Sequence, residues 1–359
     1  DGQAGATSSI VKFDDLALGY YLVQSDLGAL CSLDTTMPNV IIKEKNSEST
    51  VDKQVQEDST GDYGDHNDAD IGQTVNFRTT INVVDGDPKN YVLHDTMSAG
   101  LTFDPASMAV TIGERTLAKN TDYTLVTSGL TDGCTFEVQF KDGVLKPNDV
   151  VEVAYSAEVN EYAVIGGTGN DNKTQLKYGE DKGTEWDETH TYVWQFDVFK
   201  YAMRDGQEIP LAGAQFVLYK TVDKKNLYAQ AANGKITGWT DDQKYATVFE
   251  TPDHGKFVIA GLDADTYYLE ETKAPDGYNR LKEPVNVVIT ANIASGKTVT
   301  ATITYNETAT GTVRIENQTG VELPSTGGIG TTVFYVIGGL LMGVAVVLLV
   351  TRKKMSTSK

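Results

Sequence analysis

Three polar residues in the C-terminal half of the chain stand at strand positions where apolar residues are expected. Residues i, i+2 and i+4 of a β-strand share one face of the sheet. By this rule Lys200, Glu271 and Asn317 each continue a row of apolar side chains. The apolar residues of the three rows are Trp194, Phe196, Val198, Tyr267, Leu269, Val313 and Ile315. Because an unpaired buried amine or carboxylate costs several kcal/mol, each of the three needs a partner.

A second set of the same residue types lies earlier in the chain. Lys53, Asp95 and Asn172 also continue apolar rows. Their apolar neighbours are Val51, Val55, Tyr91, Leu93, Leu176 and Tyr178. Both sets therefore occur in the order lysine, acid, asparagine along the sequence.

These residue types can form an amide cross-link without an enzyme. Burial favours the neutral form of a lysine, which leaves a nucleophilic lone pair, and pushes a carboxyl towards its protonated form. The acid can then hydrogen-bond the asparagine carbonyl and relay protons while the amine attacks the carboxamide and expels ammonia. Folding supplies the effective molarity. A lysine that reaches solvent, or a plain ion pair, would explain one such residue, but two matched sets favour cross-links.

The elements that must position these residues are predicted to be short strands. Alternating apolar residues separated by Gly, Asp and Asn clusters indicate an all-β fold of tandem immunoglobulin-like β-sandwich domains. In the C-terminal unit, seven predicted strands, the first at 191–200, indicate an antiparallel sandwich. The expected units are an incomplete first unit at 1–46, a middle unit at 47–188, a C-terminal unit at 189–320 and a terminal signal at 321–359.

Composition narrows the function classes. The chain of 359 residues carries a formal net charge of -20, which argues against nucleic acid as a partner. With only two cysteines, Cys31 and Cys134, the sequence excludes a disulfide framework and a Cys-rich metal site. Four scattered histidines argue against a His-based zinc site. Neither a Ser/His/Asp nor a Cys/His catalytic set stands out, so we expect no enzyme and no cofactor.

The C-terminus carries a three-part signal. Residues 331–350 form an uncharged run that reaches roughly 30 Å as a helix, enough to cross a bilayer. The basic residues that follow at 352–354 place the tail in the cytoplasm and the rest of the chain outside. Just before the run stands a pentapeptide. Its residues are Leu323, Pro324, Ser325, Thr326 and Gly327.

This order of pentapeptide, apolar run and basic tail resembles the sorting signal of Gram-positive surface proteins that a sortase anchors. The resemblance implies cleavage between Thr326 and Gly327, with the Thr326 carbonyl passed through a sortase thioester to an amine. The apolar run would then be a processing signal, and the mature protein would keep no membrane helix. The N-terminal residues show no signal peptide, so we expect a chain that begins inside a domain.

Two internal segments extend the resemblance. Residues 210–220, PLAGAQFVLYK, resemble the opening of a collagen-adhesin B-type (CnaB-like) domain, and 267–278, YYLEETKAPDGY, is similar to the pilin E-box. The resemblance makes Glu271 the catalytic acid for a bond between Lys200 and Asn317. The middle unit resembles the middle domain of major pilins. There the resemblance assigns the acid to Asp95 and the bonded pair to Lys53 and Asn172.

Shaft subunits of this family need an exposed lysine that receives the threonyl group of the next subunit. Residues 40–46, VIIKEKN, occupy the place of the family's Val-Tyr-Pro-Lys-Asn-like motif, and Lys45 aligns with the acceptor. A Lys-Glu pair replaces the Tyr-Pro pair. Lys43 is therefore the second candidate, and a solvated charged linker is the alternative interpretation.

The resemblance implies a cell-wall-anchored pilus shaft subunit on the cell surface. Its partners would be a sortase, identical subunits, ancillary pilins, peptidoglycan and a host surface ligand in adhesion or colonisation. The alternative is a minor pilin or wall-anchored adhesin that lacks a working Lys45. A run of acids could bind calcium, but its spacing favours a solvated acidic loop. Its members are Asp62, Asp65, Asp68 and Asp70.

Overall fold

The computed structural model describes residues 15–23, 29–33, 40, 48–83, 89–180, 182–292, 299–320, 336–337 and 340–342. The predicted acceptor segment, the pentapeptide at 323–327 and most of the predicted membrane run lie outside these ranges. Residues 336–337 and 340–342 are helical. Within the described residues, no helix combines the length and the apolar character needed to cross a membrane.

The first unit contributes one described hairpin. Its antiparallel strands are β1 (Gly19–Val23) and β2 (Ala29–Leu33).

The middle unit consists of two facing sheets. Its strands are β3 (Thr50–Gln56), β4 (Tyr63–Gly64), β5 (His66–Asp68), β6 (Thr74–Asn82), β7 (Val92–Met97), β8 (Leu101–Ile112), β9 (Arg115–Thr116), β10 (Tyr123–Val126), β11 (Phe136–Phe140), β12 (Val150–Val159), β13 (Asn170–Tyr178), β14 (Lys182–Gly183) and β15 (Asp187–Tyr192). One sheet has the order β4-β3-β6-β12-β8-β9. The other has the order β10-β11-β7-β13-β15-β5, with β14 beside β13.

The C-terminal unit is a single curled sheet. Its strands are β16 (Trp194–Arg204), β17 (Gln207–Pro210), β18 (Gln215–Val222), β19 (Lys225–Ala232), β20 (Lys235–Thr240), β21 (Phe249–Glu250), β22 (Lys256–Leu262), β23 (Thr266–Lys273), β24 (Val285–Asn292), β25 (Thr300–Tyr305), β26 (Thr308–Thr310) and β27 (Val313–Glu316). Strand order is β17-β16-β22-β20-β19-β18-β23-β24-β25-β26, with β21 beside β18 and β27 beside β16. A 3-10 turn, Gln243–Tyr245, follows β20.

The middle and C-terminal units each have their own apolar core, which explains the alternating sequence. Inward residues of β6 and β12, such as Phe77 and Tyr155, pack with Phe136 of the facing sheet. In the C-terminal unit, Phe196 and Phe216 belong to a second cluster of buried residues. Because successive side chains of a strand point to opposite faces, the other face of each strand is free to be polar. The all-β, tandem-sandwich prediction is confirmed.

The C-terminal unit differs from the predicted antiparallel arrangement, because β27 runs parallel to β16 and β20 runs parallel to β22. In the middle unit, β15 runs parallel to β5. The strand predicted at 191–200 is in fact two strands, broken at Val193, because β15 joins the middle sheet while β16 begins the C-terminal sheet. Residue 188, the expected end of the middle unit, therefore lies within β15.

The predicted solvated acidic loop is wrong for two of its four members. Asp68 and Asp70 are buried where the two units meet. The Asp68 carboxylate accepts a hydrogen bond from the Trp194 indole at 2.7 Å. Asp70 is 2.5 Å from the Lys220 amine and accepts a hydrogen bond from the Tyr267 hydroxyl at 3.1 Å. These carboxylates hold partners from the neighbouring unit rather than water.

Candidate functional site

The middle unit brings its predicted lysine, acid and asparagine into one buried cluster. Lys53 lies on β3 in one sheet, whereas Asp95 on β7 and Asn172 on β13 lie on neighbouring strands of the other. All three are completely buried. A Lys53–Asn172 bond would therefore join the two sheets of the sandwich.

Within this cluster the lysine has two polar partners. Its amine donates a hydrogen bond to Asp95 Oδ2 at 2.7 Å and a short one to the Tyr155 hydroxyl. The amine also lies 5.0 Å from the centre of the Tyr155 ring and 5.5 Å from that of Phe77. The β3 backbone is held as well, because Lys53 N donates to Asp187 Oδ2 at 2.6 Å. The nucleophile is thus fixed at both its backbone and its amine.

Tyr155 is the member of the cluster that sequence reasoning missed. Its hydroxyl donates to Asp95 Oδ2 at 2.7 Å and accepts from Asn172 Nδ2 at 2.9 Å. It therefore contacts the lysine, the acid and the asparagine together. The signal was present in the sequence, because Tyr155 continues the buried row of β12 and a buried phenol needs a hydrogen-bond partner.

Burial changes the acid-base properties of this cluster. Desolvation lowers the pKa of Lys53, although Asp95 opposes the change. Desolvation also raises the pKa of Asp95, against the influence of Lys53 and Tyr155. For Tyr155, burial and the neighbouring Asp95 raise the pKa well above its usual value. All three shifts favour uncharged forms, which is the state in which an amine can attack a carboxamide.

The C-terminal unit builds an equivalent cluster from different elements. Lys200 lies on β16 and Asn317 directly follows β27, the strand parallel to it. The ladder continues one step further, because Asn317 N donates to Tyr201 O at 3.0 Å. Glu271 faces them from β23, which is remote from β16 in the sheet order. All three side chains are buried.

Here the acid, rather than the lysine, is held in place. Glu271 Oε2 accepts hydrogen bonds from Leu281 N at 2.8 Å and from Asn317 Nδ2 at 3.1 Å. The Asn317 amide also donates to Asn279 O. Lys200 Nζ lies 3.4 Å from Glu271 Oε1 but has no hydrogen-bond partner among the described residues. Segment 279–281, after the E-box, thus supplies backbone contacts that the strand pattern did not predict.

The backbone around Lys200 leaves no room for a side chain at Gly255. Lys200 N donates to Gly255 O at 2.7 Å, and a Cβ at Gly255 would lie 2.4 Å from Lys200 O. Gly255 also has a φ of 67°, which favours glycine. Desolvation lowers the pKa of Lys200 to about 8, although Glu271 and Glu316 oppose the change. About a tenth of the amine is therefore neutral at pH 7, far more than for an ordinary lysine.

One expected contact is replaced by another in both clusters. The acid was expected to hydrogen-bond the asparagine carbonyl. Instead the carboxamide nitrogen is bound, in Asn172 by Tyr155 and in Asn317 by Glu271. Neither Asn172 Oδ1 nor Asn317 Oδ1 has a partner within the described part of the chain. The acid group or phenol thus lies beside the nitrogen that would leave as ammonia.

Glu270, the neighbour of the predicted catalytic acid, is described by the structure, whereas the predicted sortase-related residues are not. Glu270 points away from the cluster, and its Oε2 accepts a hydrogen bond from Gln243 Nε2 at 3.3 Å. Lys43, Lys45 and residues 323–327 lie outside the described residues. Their roles in intersubunit bonding and sortase recognition stay predictions.

Three family models match the chain in sequence order. The Gram-positive pilin backbone subunit 2, Cna-B-like domain matches residues 71–182, which include Asp95 and Asn172 but not Lys53. The SpaA prealbumin-like fold domain matches 199–317, which include all three residues of the second cluster. The LPXTG cell wall anchor motif matches 315–356, which include the predicted sorting signal.

A related surface protein of a Gram-positive bacterium is consistent with these family matches. The trypsin-resistant surface T6 protein of Streptococcus pyogenes serotype M6 is 27% identical over 328 residues, covering 74% of this chain. The match covers 61% of that relative, so the chain spans about three fifths of its length.

Two solved structures share the fold. The pilus 2b backbone protein of group B streptococcus has a TM-score of 0.56 and 22% identity, over 77% of this chain and 99% of that one. The major pilin SpaA of Corynebacterium diphtheriae has a TM-score of 0.57 and 17% identity, over 87% of this chain and 83% of that one. The latter structure points to a modular pilus assembly with stabilizing isopeptide bonds.

Proposed function

We propose that this chain is the shaft subunit of a covalently polymerised surface pilus. The reason is that it belongs to the sortase-anchored pilin backbone proteins of Gram-positive bacteria. The chain is a cell-wall-anchored surface protein and a structural subunit rather than an enzyme. The observation that carries the proposal is the order of a pilin backbone domain, a prealbumin-like domain and an anchor motif on one chain.

Polymerisation would use two groups that lie outside the described residues, the Thr326 carbonyl and the Lys45 amine. A sortase would break the Thr326–Gly327 peptide bond and hold the Thr326 carbonyl as a thioester. The Lys45 amine of the next subunit would then attack this thioester, form an amide and release the sortase thiol. The final subunit would pass to an amine of peptidoglycan. Ancillary pilins and a host surface ligand would be further partners.

Replacing the acceptor tests polymerisation. In a bacterium that carries the matching sortase, Lys45→Arg is expected to abolish the high-mass ladder of cell-wall extracts seen by immunoblot, while Lys43→Arg leaves it intact. The reverse result would move the role to Lys43. An unchanged ladder in both single variants and in the double variant would contradict the shaft proposal and favour a minor pilin or wall-anchored adhesin.

Within each subunit, we assign a self-formed amide to each buried cluster. The neutral Lys53 amine would attack Cγ of Asn172, and the neutral Lys200 amine would attack Cγ of Asn317. The carbon–nitrogen bond of the carboxamide then breaks, the acid supplies a proton to the departing nitrogen, and ammonia leaves. The support is that both lysines are fully buried with depressed pKa values beside an acid and an asparagine.

Intact-protein mass tests these two bonds separately from polymerisation. The full chain, expressed without a sortase, is expected to weigh two ammonia molecules less than its sequence. Asn172→Ala and Asn317→Ala should each restore one ammonia relative to the substituted sequence. Asn170→Ala is the matched control, because Asn170 is equally buried on β13 but lies on the path of neither bond. A chain at its full sequence mass would contradict both bonds.

A further inference from the structure

A second group of reactive side chains lies on the outer face of the middle unit. His94, Asp132 and Cys134 offer one ligand atom each, and these atoms all lie within 4.8 Å of one another. Glu137 lies beside this group of three, with its Oε1 3.4 Å from His94 Nδ1. None of the four residues takes part in the cross-linking cluster.

Strand pairing produces this convergence. His94 on β7 and Glu137 on β11 are directly opposite residues of neighbouring antiparallel strands. The segment that leads into β11 carries Asp132 and Cys134 over the His94 ring. That segment is tied to β7 by two hydrogen bonds, from Thr135 N to Asp95 O at 2.7 Å and from Met97 N to Thr135 Oγ1 at 2.9 Å.

The distances suit a tetrahedral metal ion. Bonds of 2.0–2.3 Å to zinc place neighbouring ligand atoms about 3.3–3.8 Å apart. His94 Nδ1 lies 3.7 Å from Cys134 Sγ and 3.4 Å from Glu137 Oε1. Asp132 Oδ2 is closer, at 2.7 Å, because it is hydrogen-bonded to the same nitrogen. Since the Asp132 side chain is about one third exposed, it has room to move outwards by the half-ångström required.

In both Asp132 and Glu137, one carboxylate oxygen accepts a hydrogen bond that orients the group, and the other oxygen is available to a metal ion or to the histidine. Asp132 Oδ1 accepts from Cys134 N at 3.2 Å, and Glu137 Oε2 accepts from Gln139 Nε2 at 2.7 Å. The remaining oxygens face His94. Among the described residues neither carboxylate has a lysine or arginine partner, and His94 is the group that pairs with both.

We propose that His94, Asp132 and Cys134, with a water molecule as the fourth ligand, form a zinc-binding site that fastens the 127–135 segment to β7. Glu137, 3.4 Å from His94 Nδ1, supports the histidine from β11. The thiolate selects against calcium and magnesium, which prefer oxygen ligands, while a mixed set of nitrogen, sulfur and oxygen suits zinc. Binding replaces the thiol proton and the His94–Asp132 hydrogen bond with metal–ligand bonds. The sequence argument considered only sites rich in cysteine or histidine, and it therefore missed a site with one of each.

Cobalt substitution tests this site on the full chain, kept reduced with a phosphine. One equivalent of Co²⁺ is expected to give a sulfur-to-cobalt charge-transfer band and the visible bands of tetrahedral cobalt, both lost on adding Zn²⁺. Cys134→Ser should remove the charge-transfer band. Asp132→Asn and Glu137→Gln should each weaken Zn²⁺ binding about tenfold or more in competition with a chromophoric chelator.

Two control variants make the result specific. Asp171→Asn alters a similar His–Asp pair, with His190 Nδ1 2.8 Å from Asp171 Oδ1 but without a cysteine ligand, and should change neither band nor affinity. Cys31→Ser should keep the charge-transfer band. Absence of stoichiometric binding by the folded chain would overturn the proposal, and so would a band that survives Cys134→Ser. Unchanged affinity in Asp132→Asn would overturn this ligand set. Near-ultraviolet circular dichroism verifies that each variant is folded.

Discussion

The two buried clusters contain the same residue types but hold different members in place. In the middle unit the Lys53 amine is hydrogen-bonded to Asp95 and Tyr155. In the C-terminal unit the Lys200 amine has no hydrogen-bond partner in the described ranges, and Glu271 is fixed instead by Leu281 N. In the C-terminal unit the glutamate is the only acidic group of the cluster, and a backbone N–H holds it in place. In the middle unit the acid is an aspartate, which has a shorter side chain than glutamate and is accompanied by the Tyr155 phenol.

A third, partly buried lysine, Lys220, shows what separates a reactive amine from an ion pair. Lys220 lies 2.5 Å from Asp70, and its pKa is raised because Asp70, Asp265 and Asp263 outweigh desolvation. The pKa values of Lys53 and Lys200 are instead lowered. Lys220 therefore stays charged and holds the two units together, while the other two lysines can act as nucleophiles.

Removing either acid should have the largest effect. Asp95→Ala and Glu271→Ala are each expected to prevent one bond, to restore one ammonia by mass, and to lower the free energy of unfolding of that unit by about 5 kcal/mol. The estimate takes a cross-link that closes a loop of about 100 residues. Glu270→Ala, on the opposite face of β23, should leave mass and stability unchanged. Equal masses for Glu271→Ala and Glu270→Ala would contradict the assignment.

Blocking the second bond should expose the titration of Lys200. In Asn317→Ala the free amine has a folded pKa of about 8, below the usual 10.5, so the unfolded state binds more protons between these values. The unfolding free energy is therefore expected to rise by on the order of 3 kcal/mol from about pH 8 to about pH 10.5. Below about pH 8 the amine is charged in both states, and the full cost of burying its charge lowers the unfolding free energy.

Chemical denaturation followed by tryptophan fluorescence measures this dependence. The double variant Lys200→Met, Asn317→Ala should lack it, since no amine remains to titrate. An equal pH slope in the single and double variants would show that Lys200 is not responsible.

Deleting the Tyr155 hydroxyl should slow bond formation in the middle unit but not in the C-terminal unit. Tyr155→Phe keeps the ring stacked on Phe77 and edge-to-face with Phe136 but removes the hydroxyl that contacts the lysine, the acid and the asparagine. Formation of the middle bond is expected to slow about a hundredfold, as for loss of one proton-transfer group. The C-terminal bond should form at its normal rate. Cell-free synthesis with acid quenching and mass analysis over time measures both in the same chain. Equal slowing of both bonds would point to a general folding defect.

Replacing Lys220 should give the smallest effect. Lys220→Met is expected to cost about 2 kcal/mol, through loss of a charged hydrogen bond at the junction of the units, with no change in ammonia content. Lys225→Met, at an exposed position of β19, is the matched control and should be neutral. An ammonia or water deficit that depends on Lys220 would contradict the distinction drawn between the three lysines.

Much of this architecture could be predicted because strand periodicity is a local property. Alternation around Lys53, Asp95, Lys200 and Glu271 places each on a buried face, and all four are buried. Strand direction was less predictable. β27 pairs in parallel with β16 although more than a hundred residues of sequence separate them, and no local pattern encodes such a pairing.

The acidic run at 62–70 shows the limit of a composition argument. Asp68 and Asp70 were expected to face water because the acidic run lacks the spacing of a calcium-binding loop. Their partners, Trp194 and Lys220, lie more than a hundred residues away and belong to the next unit. Desolvation at this junction raises the pKa of Asp68 to about 6. Burial of a carboxylate can thus depend on contacts that only chain folding brings about.

The sequence by itself determined which residue types are available and which strand face each one occupies, because alternation and side-chain chemistry are local. It was sufficient to identify the all-β tandem fold, the anchor motif and both sets of lysine, acid and asparagine. Only the tertiary structure decided which atoms meet. Tyr155 joins the first cluster, Leu281 N fixes Glu271, and Glu137 approaches His94 because distant strands pair in one particular register.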